Sequence, residues 1–152
     1  MPELKARKVS RSVQVQVGAE RALQAFLESG QVQEWWGASQ ALIEARKGGV
    51  WTLAWTGPGQ GYNYVVSGVV KSLLPGRRAR IEPLVYFNPE RAPLGPMRLT
   101  ILVREKDGRT RVSVRQEGFR EGPDWDWYFE AVAGSWKEAL GNLKRFLEGA
   151  AS

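Results

Sequence analysis

Residues 123–148 read PDWDWYFEAVAGSWKEALGNLKRFLE, and the spacing of this stretch decides what the rest of the chain must supply. Bulky residues fall at Trp125, Phe129, Val132, Trp136, Leu140, Leu143 and Leu147, in steps of three and four that place them on one stripe of a helix. Pro123 suits the first turn, where its missing N–H would have had no partner. Asp124 and Asp126 stand near the positive end of the helix dipole, Lys144 and Arg145 near the negative end, and Gly149 is placed to end the helix. Each stripe residue, fully buried, contributes about 1.5–3 kcal/mol, so this helix requires an apolar surface to lie against.

The preceding residues read as that surface. Val9 and the alternation Val13-Gln14-Val15-Gln16-Val17 predict a half-buried strand. Two short helices follow, over Glu20–Leu27 and from Ser29, as a possible cap, to Trp36, closed by Gly37. Ala41–Ala45 predicts a short strand, and Gly48-Gly49 a hairpin into Val50–Trp55, with Trp51, Leu53 and Trp55 on one face. Gly57–Gly61 reads as a loop. Tyr62–Leu74 forms a longer strand with Tyr64, Val66, Gly68 and Val70 inward, and Pro75-Gly76 turns into Ala79–Phe87, with Ile81 and Val85 inward. Asn88–Pro96, with three of the eight prolines, reads as an irregular connection that cannot continue a ladder. Met97, Leu99, Ile101 and Val103 alternate with polar residues before a hairpin at Lys106-Asp107-Gly108, after which Thr110, Val112, Val114, Gln116 and Gly118 share a face. Antiparallel strands with helices gathered on one face make an α+β domain, here a single one spanning 1–152.

Composition excludes more than it assigns. With neither histidine nor cysteine, the chain has no usual zinc set, no Ser-His triad, no thiolate nucleophile and no disulfide. The lack of cysteine points to the cytoplasm. There is neither a signal-peptide core nor an apolar run of about 20 residues for a membrane span. The net charge of +6 rests on 22 basic residues interleaved with 16 acidic ones. The basic residues form only small clusters, at Lys5–Lys8, Arg77–Arg80 and Arg109–Arg115. That distribution is a solvated surface rather than a nucleic-acid footprint.

Several motifs resemble a known family when taken in order. They are Trp35-Trp36 after the short helices, Gly48-Gly49-Val50-Trp51 with Leu53, and the Gly68-Val69-Val70 strand leading to Pro75. Thr110-Arg111-Val112 with Gly118-Phe119, and Trp136 spaced to Leu140, Leu143 and Leu147, complete the set. The chain resembles the helix-grip superfamily of START domains and birch-pollen allergens (SRPBCC), and within it the branch named for the activator of heat-shock-protein ATPase. One departure is Ser135, which separates Gly134 from Trp136 where the branch usually has glycine directly before the tryptophan. The resemblance implies a curved seven-stranded antiparallel sheet wrapped around the long C-terminal helix, two short helices after the first strand, and a cavity between sheet and helix.

The expected function is binding of an apolar or aromatic small molecule, such as a lipid or polyketide-like compound, without a cofactor or metal. Candidate walls and mouth are Trp36, Trp51, Trp55, Tyr64, Tyr86, Trp125 and Phe129, since aromatic rings give apolar area and keep a polar edge. The alternative for each ring is simple core filling. Gln116 faces inward and needs hydrogen-bond partners, which a backbone group, a buried water or a ligand could supply. Tyr64 and Tyr128 carry hydroxyls that could reach the same space. Arg98 and Glu117 face outward, placed for a cross-strand ion pair. The loops Gly57–Gly61 and Asn88–Pro96 are expected at the mouth.

Two other classes of function remain open. A cyclase or hydrolase could use the cavity, but the acid–base supply is limited to Glu34, Asp124, Asp126 and tyrosines, with no carboxylate pair evident. A chaperone-associated regulatory role rests on the name of the branch alone. Trp127 falls about 200° from the stripe, beside Gly134 and Gly141. It either turns back under the Asn88–Pro96 segment or anchors a homodimer.

Overall fold

The computed structural model describes residues 7–56 and 62–149. The basic leader before residue 7 and the loop expected at Gly57–Gly61 lie outside the described residues. The described elements run β1 (Arg7–Val15), α1 (Ala19–Gln24), α2 (Ser29–Trp36), β2 (Gln40–Ile43), β3 (Val50–Thr56), β4 (Tyr62–Leu74), β5 (Arg78–Asn88), β6 (Arg91–Lys106), β7 (Arg109–Phe119) and α3 (Pro123–Gly149). The strands form one seven-stranded antiparallel sheet in the order β1-β7-β6-β5-β4-β3-β2, curved around α3 in the α+β helix-grip arrangement. The first strand closes against the last, and each remaining strand pairs with its successor in the chain. Among the described residues, no helix is long and apolar enough to cross a membrane.

Local chemistry explains most of the boundaries. Asp107 (φ 55°) and Gly108 (φ 76°) are both left-handed, the requirement of the tight turn that joins β6 to β7. Gly37, with φ 74°, ends α2. The first helix ends at Gln24, earlier than expected, and Phe26 and Leu27 are buried in the turn that follows. Its N-terminus is satisfied from across the fold, where Glu105 Oε1 accepts the Ala19 N–H at 2.8 Å. Glu28, not Ser29, occupies the N-cap of α2, and no side chain caps it.

Three strands differ from simple alternation, each at a residue that perturbs the ladder. In β5, Pro83 has no N–H to donate, and the register shifts between Ile81 and Leu84. The chain therefore changes phase. Leu84 and Tyr86 point inward, while Val85 pairs with Ser67 on the other face instead of entering the core. Asn88–Pro96 is not an irregular connection. Asn88 pairs with Arg91 across a two-residue turn, and β6 carries Pro93 and Pro96 through a stretch of register shifts in which Leu94 still reaches the core. In β7, Gly118 has φ 101° and sits at the register shift opposite Arg7 and Lys8. The bulge turns Gly118 out and Phe119 in.

The core stripe of α3 consists of Tyr128, Val132, Trp136, Ala139, Leu140, Leu143 and Leu147. Its C-terminal half packs against β1, with the Lys144 ammonium donating to the Gln14 carbonyl oxygen at 2.7 Å and Glu148 accepting the Gln16 N–H at 2.9 Å. At the N-terminal end the stripe is rotated from its expected phase. Tyr128 is buried, whereas Trp125 and Phe129 are only partly covered.

Candidate functional site

The site begins with three tryptophans whose indole N–H groups are anchored on backbone oxygens. Trp35 donates to Ala25 at 2.9 Å and Trp51 to Phe26 at 2.9 Å, both oxygens lying in the turn after α1. Trp55 donates to the Trp36 carbonyl oxygen at 3.2 Å. The buried Trp35 ring stacks under Trp36, with centroids 5.0 Å apart and planes 10° apart, and so fixes the ring that ends α2. These bonds hold the rings of α2 and β3 in one orientation and leave their inner surfaces facing the sheet's concavity.

From Trp36 the rings form a course that the Gln116 amide completes between Tyr128 and Trp136. Trp36 meets Trp55 at 5.6 Å, Trp55 stacks on Tyr64 at 4.7 Å, Tyr64 approaches Tyr86 at 5.8 Å, and Tyr86 meets Tyr128 of α3 at 4.4 Å. Trp136 of α3 returns to Trp36 at 4.9 Å. The rings bound a cavity of about 510 Å³ between the concave face and the N-terminal half of α3. That volume lies within the range of small-molecule sites. The inward phase of Tyr86, which strict alternation with Ile81 would have denied it, comes from the Pro83 shift.

Gln116 is the polar centre of the cavity wall. It is 3% exposed, and its partners are side chains of α3 and β6 rather than backbone. The Trp136 indole can only donate, so the oxygen 2.9 Å from it must be Gln116 Oε1. The amide nitrogen then faces the Tyr128 hydroxyl at 3.2 Å and the Met97 sulfur at 3.4 Å. Burial raises the Tyr128 phenol well above its ordinary value, against the opposing hydrogen bond from Gln116. Tyr64 and Tyr86 are raised as well, chiefly by burial. The three phenols are neutral donors and acceptors near neutral pH. The Tyr64 hydroxyl has no hydrogen-bond partner among the described residues.

The rim is built by the β5–β6 turn and the outer side of α3. Asn88 Nδ2 donates to the Tyr86 hydroxyl at 3.1 Å, and Asn88 Oδ1 accepts the Glu90 N–H at 2.9 Å. Asn88, Pro89 and Glu90 line the opening together with Asn63, Trp127, Ala131 and Ser135. The turn thus stands where a mouth was expected, although as a hairpin rather than a long loop. The Arg91 guanidinium lies 3.8 Å above the Trp127 ring and is held by Asp124 at 2.5 Å. Trp127 is 39% exposed, and α3 is regular from Pro123, so the ring sits beneath this hairpin without a delayed helix start.

Of the eight residues expected to contact a ligand, Trp36, Trp51, Trp55, Tyr64, Tyr86 and Gln116 line this cavity, and Trp125 and Phe129 do not. The latter two pack around Phe119, at 6.2 Å and 5.2 Å, with the Arg7 guanidinium 5.0 Å from Phe129. The reason is the rotated stripe, because Gln116 satisfies a phenol at the inward position and so favours Tyr128 there. Trp127 and Trp136 are cavity residues that spacing alone did not assign. The unmet hydrogen-bonding demand of Gln116 was the available signal for Trp136. On the outer face, Arg98 pairs with Glu82, not Glu117. Its Nε is 3.0 Å and its Nη2 3.2 Å from the two carboxylate oxygens, a fork that holds the Glu82 carboxyl below its usual range. Glu117 faces Arg115 at 3.3 Å. Among the described residues, no group of three or more carboxylates gathers as a metal site.

Residues 16–148 match the family model described as activator of Hsp90 ATPase homolog 1-like protein. The chain belongs to this family. Solved structures similar to this family member share the fold at low identity. Protein MLL2253 from Mesorhizobium loti is 17% identical, with a TM-score of 0.75 over 93% of this chain and 97% of that one. A subunit of the Aha1 dimer from Colwellia psychrerythraea is 14% identical, with a TM-score of 0.73 over 93% and 96%. CalU16 from Micromonospora echinospora is 17% identical, with a TM-score of 0.67 over 94% and 77%. No curated protein matches the chain.

Proposed function

We propose that the protein binds an apolar or aromatic small molecule in the cavity between the sheet and the N-terminal half of α3. The observation that carries this reading is the course of rings, joined through Gln116, around about 510 Å³ with the β5–β6 turn at its rim. Rings whose N–H groups are already anchored keep their shape when the space is empty, so little ordering cost falls on binding. The Tyr64 hydroxyl, the rim asparagines and Ser135 offer the few polar contacts that orient a ligand. An enzymatic reading has less support, since Glu90 at the rim is the one carboxylate among the described residues that line the cavity.

The test is titration with N-phenyl-1-naphthylamine, an uncharged aromatic whose fluorescence rises in apolar surroundings. Saturable binding with one site per chain is expected. Ser135 is exposed on α3 and lines the opening, so Ser135→Trp should fill the space while the fold stays intact. Equal dye binding by both proteins would place the ligand elsewhere. Self-association is a separate proposal, supported by the dimeric form of the Colwellia relative. Sedimentation at rising concentration checks it, and a chain that stays monomeric ends it.

A further inference from the structure

The chain carries 22 lysines and arginines against 16 acidic residues, yet none of the 22 is among the described residues that line the cavity. The one charged residue there is Glu90, at the rim. A second carboxylate, Glu138 of α3, is close enough for its charge to act on the Tyr64 hydroxyl. The wall itself holds eight aromatic rings. An aromatic face is negative at its centre and attracts a cation, the more so where water is excluded.

The rim already uses this chemistry. Arg91 lies over Trp127 at 3.8 Å, and Asp124 pairs with that guanidinium, which offsets the positive charge that Arg91 places near the Tyr86 hydroxyl. The positive end of α3 works against a cationic guest, but its field falls off within the first turn. The cavity-lining residues of α3 begin at Trp127, beyond that turn.

We infer that the preferred ligand is an organic cation, an alkyl- or arylammonium compound whose charged head sits among Trp36, Trp55, Tyr64 and Tyr86 with Glu90 at the entrance. This rests on the binding role proposed above and narrows it to one charge class. The rings supply the attraction that a buried carboxylate would supply elsewhere, without the cost of burying an unpaired anion. A substituted ammonium keeps apolar groups around its charge and so loses less hydration on entry than a bare ammonium. An N–H, where the head has one, can donate to the Tyr64 hydroxyl, which has no partner among the described residues.

A matched pair of ligands tests this with the full chain. Benzyltrimethylammonium and neopentylbenzene have the same shape and differ only in the charge on the central atom. Each is measured by its displacement of N-phenyl-1-naphthylamine. The cation should displace the dye at a concentration about tenfold or more below that of the isostere. Glu90→Gln, in an exposed turn, should weaken the cation by about threefold and leave the isostere unchanged. If the isostere binds as well as the cation or better, the inference fails while the binding role survives. A dye that binds but is displaced by neither compound has the same consequence. If the dye itself does not bind, both readings fall. An unchanged cation affinity in Glu90→Gln overturns the part assigned to Glu90.

Discussion

The two halves of α3 face the same sheet and do opposite things. The C-terminal half presents Ala139, Leu140, Leu143 and Leu147, all buried, and is tied to the end of β1 by Lys144 and Glu148. The N-terminal half presents Tyr128, Val132 and Trp136, and rings standing opposite leave about 510 Å³ between them. Branched aliphatic chains interdigitate to native density and leave no room for a guest. Large planar rings fixed by hydrogen bonds at their edges cannot collapse on one another, so they hold a space open. One helix thus serves as the keystone of the core at one end and the lid of a cavity at the other.

The contrast makes the aliphatic half the more sensitive to truncation. Leu143 is fully buried, and Leu143→Ala should cost about 2–5 kcal/mol in urea denaturation. A loss within about 0.5 kcal/mol, the range of surface changes, would mean that this half is not packed as described.

The polar centre ranks next. Gln116→Leu keeps the volume but leaves the Trp136 N–H and the Tyr128 hydroxyl without their partner. The expected cost is about 1–3 kcal/mol. A neutral result would show that water replaces the amide at once, and that this end of the interface is wetter than the rings suggest. Ser135→Trp should move stability least, by no more than about 0.5 kcal/mol, while closing the cavity to the dye. Its small effect on stability and large effect on binding would separate lid from keystone within one helix.

What could be read from the sequence was whatever depends on neighbours along the chain. The stripe of α3 from Val132 to Leu147, the Asp107-Gly108 turn and the alternation through Ile101 and Val112 are set by periods and turn chemistry, and they appear where expected. The phase of a strand after a bulge is another matter. Val85 and Gly118 were misplaced, and Asn88–Pro96 was read as irregular, because register shifts at Pro83, Pro93–Pro96 and Gly118 are fixed by the partner strand. The site follows the same division. The aromatics of α2, β3 and β4 were legible from alternation and the family resemblance. Trp125 and Phe129 fall outside the cavity, since whether Tyr128 or Phe129 turns inward depends on Gln116, a residue of a different element.

The seven tryptophans provide the most direct test of the division, because each gives its own indole N–H signal. Trp36, Trp51, Trp55, Trp127 and Trp136 line the cavity, and Trp35 and Trp125 do not. A proton–nitrogen NMR spectrum recorded as N-phenyl-1-naphthylamine is added should show shifts at the cavity set, largest at Trp36 and Trp55, with Trp125 unmoved. A ligand that shifts Trp125 first and leaves Trp36 and Trp55 in place would contradict the account.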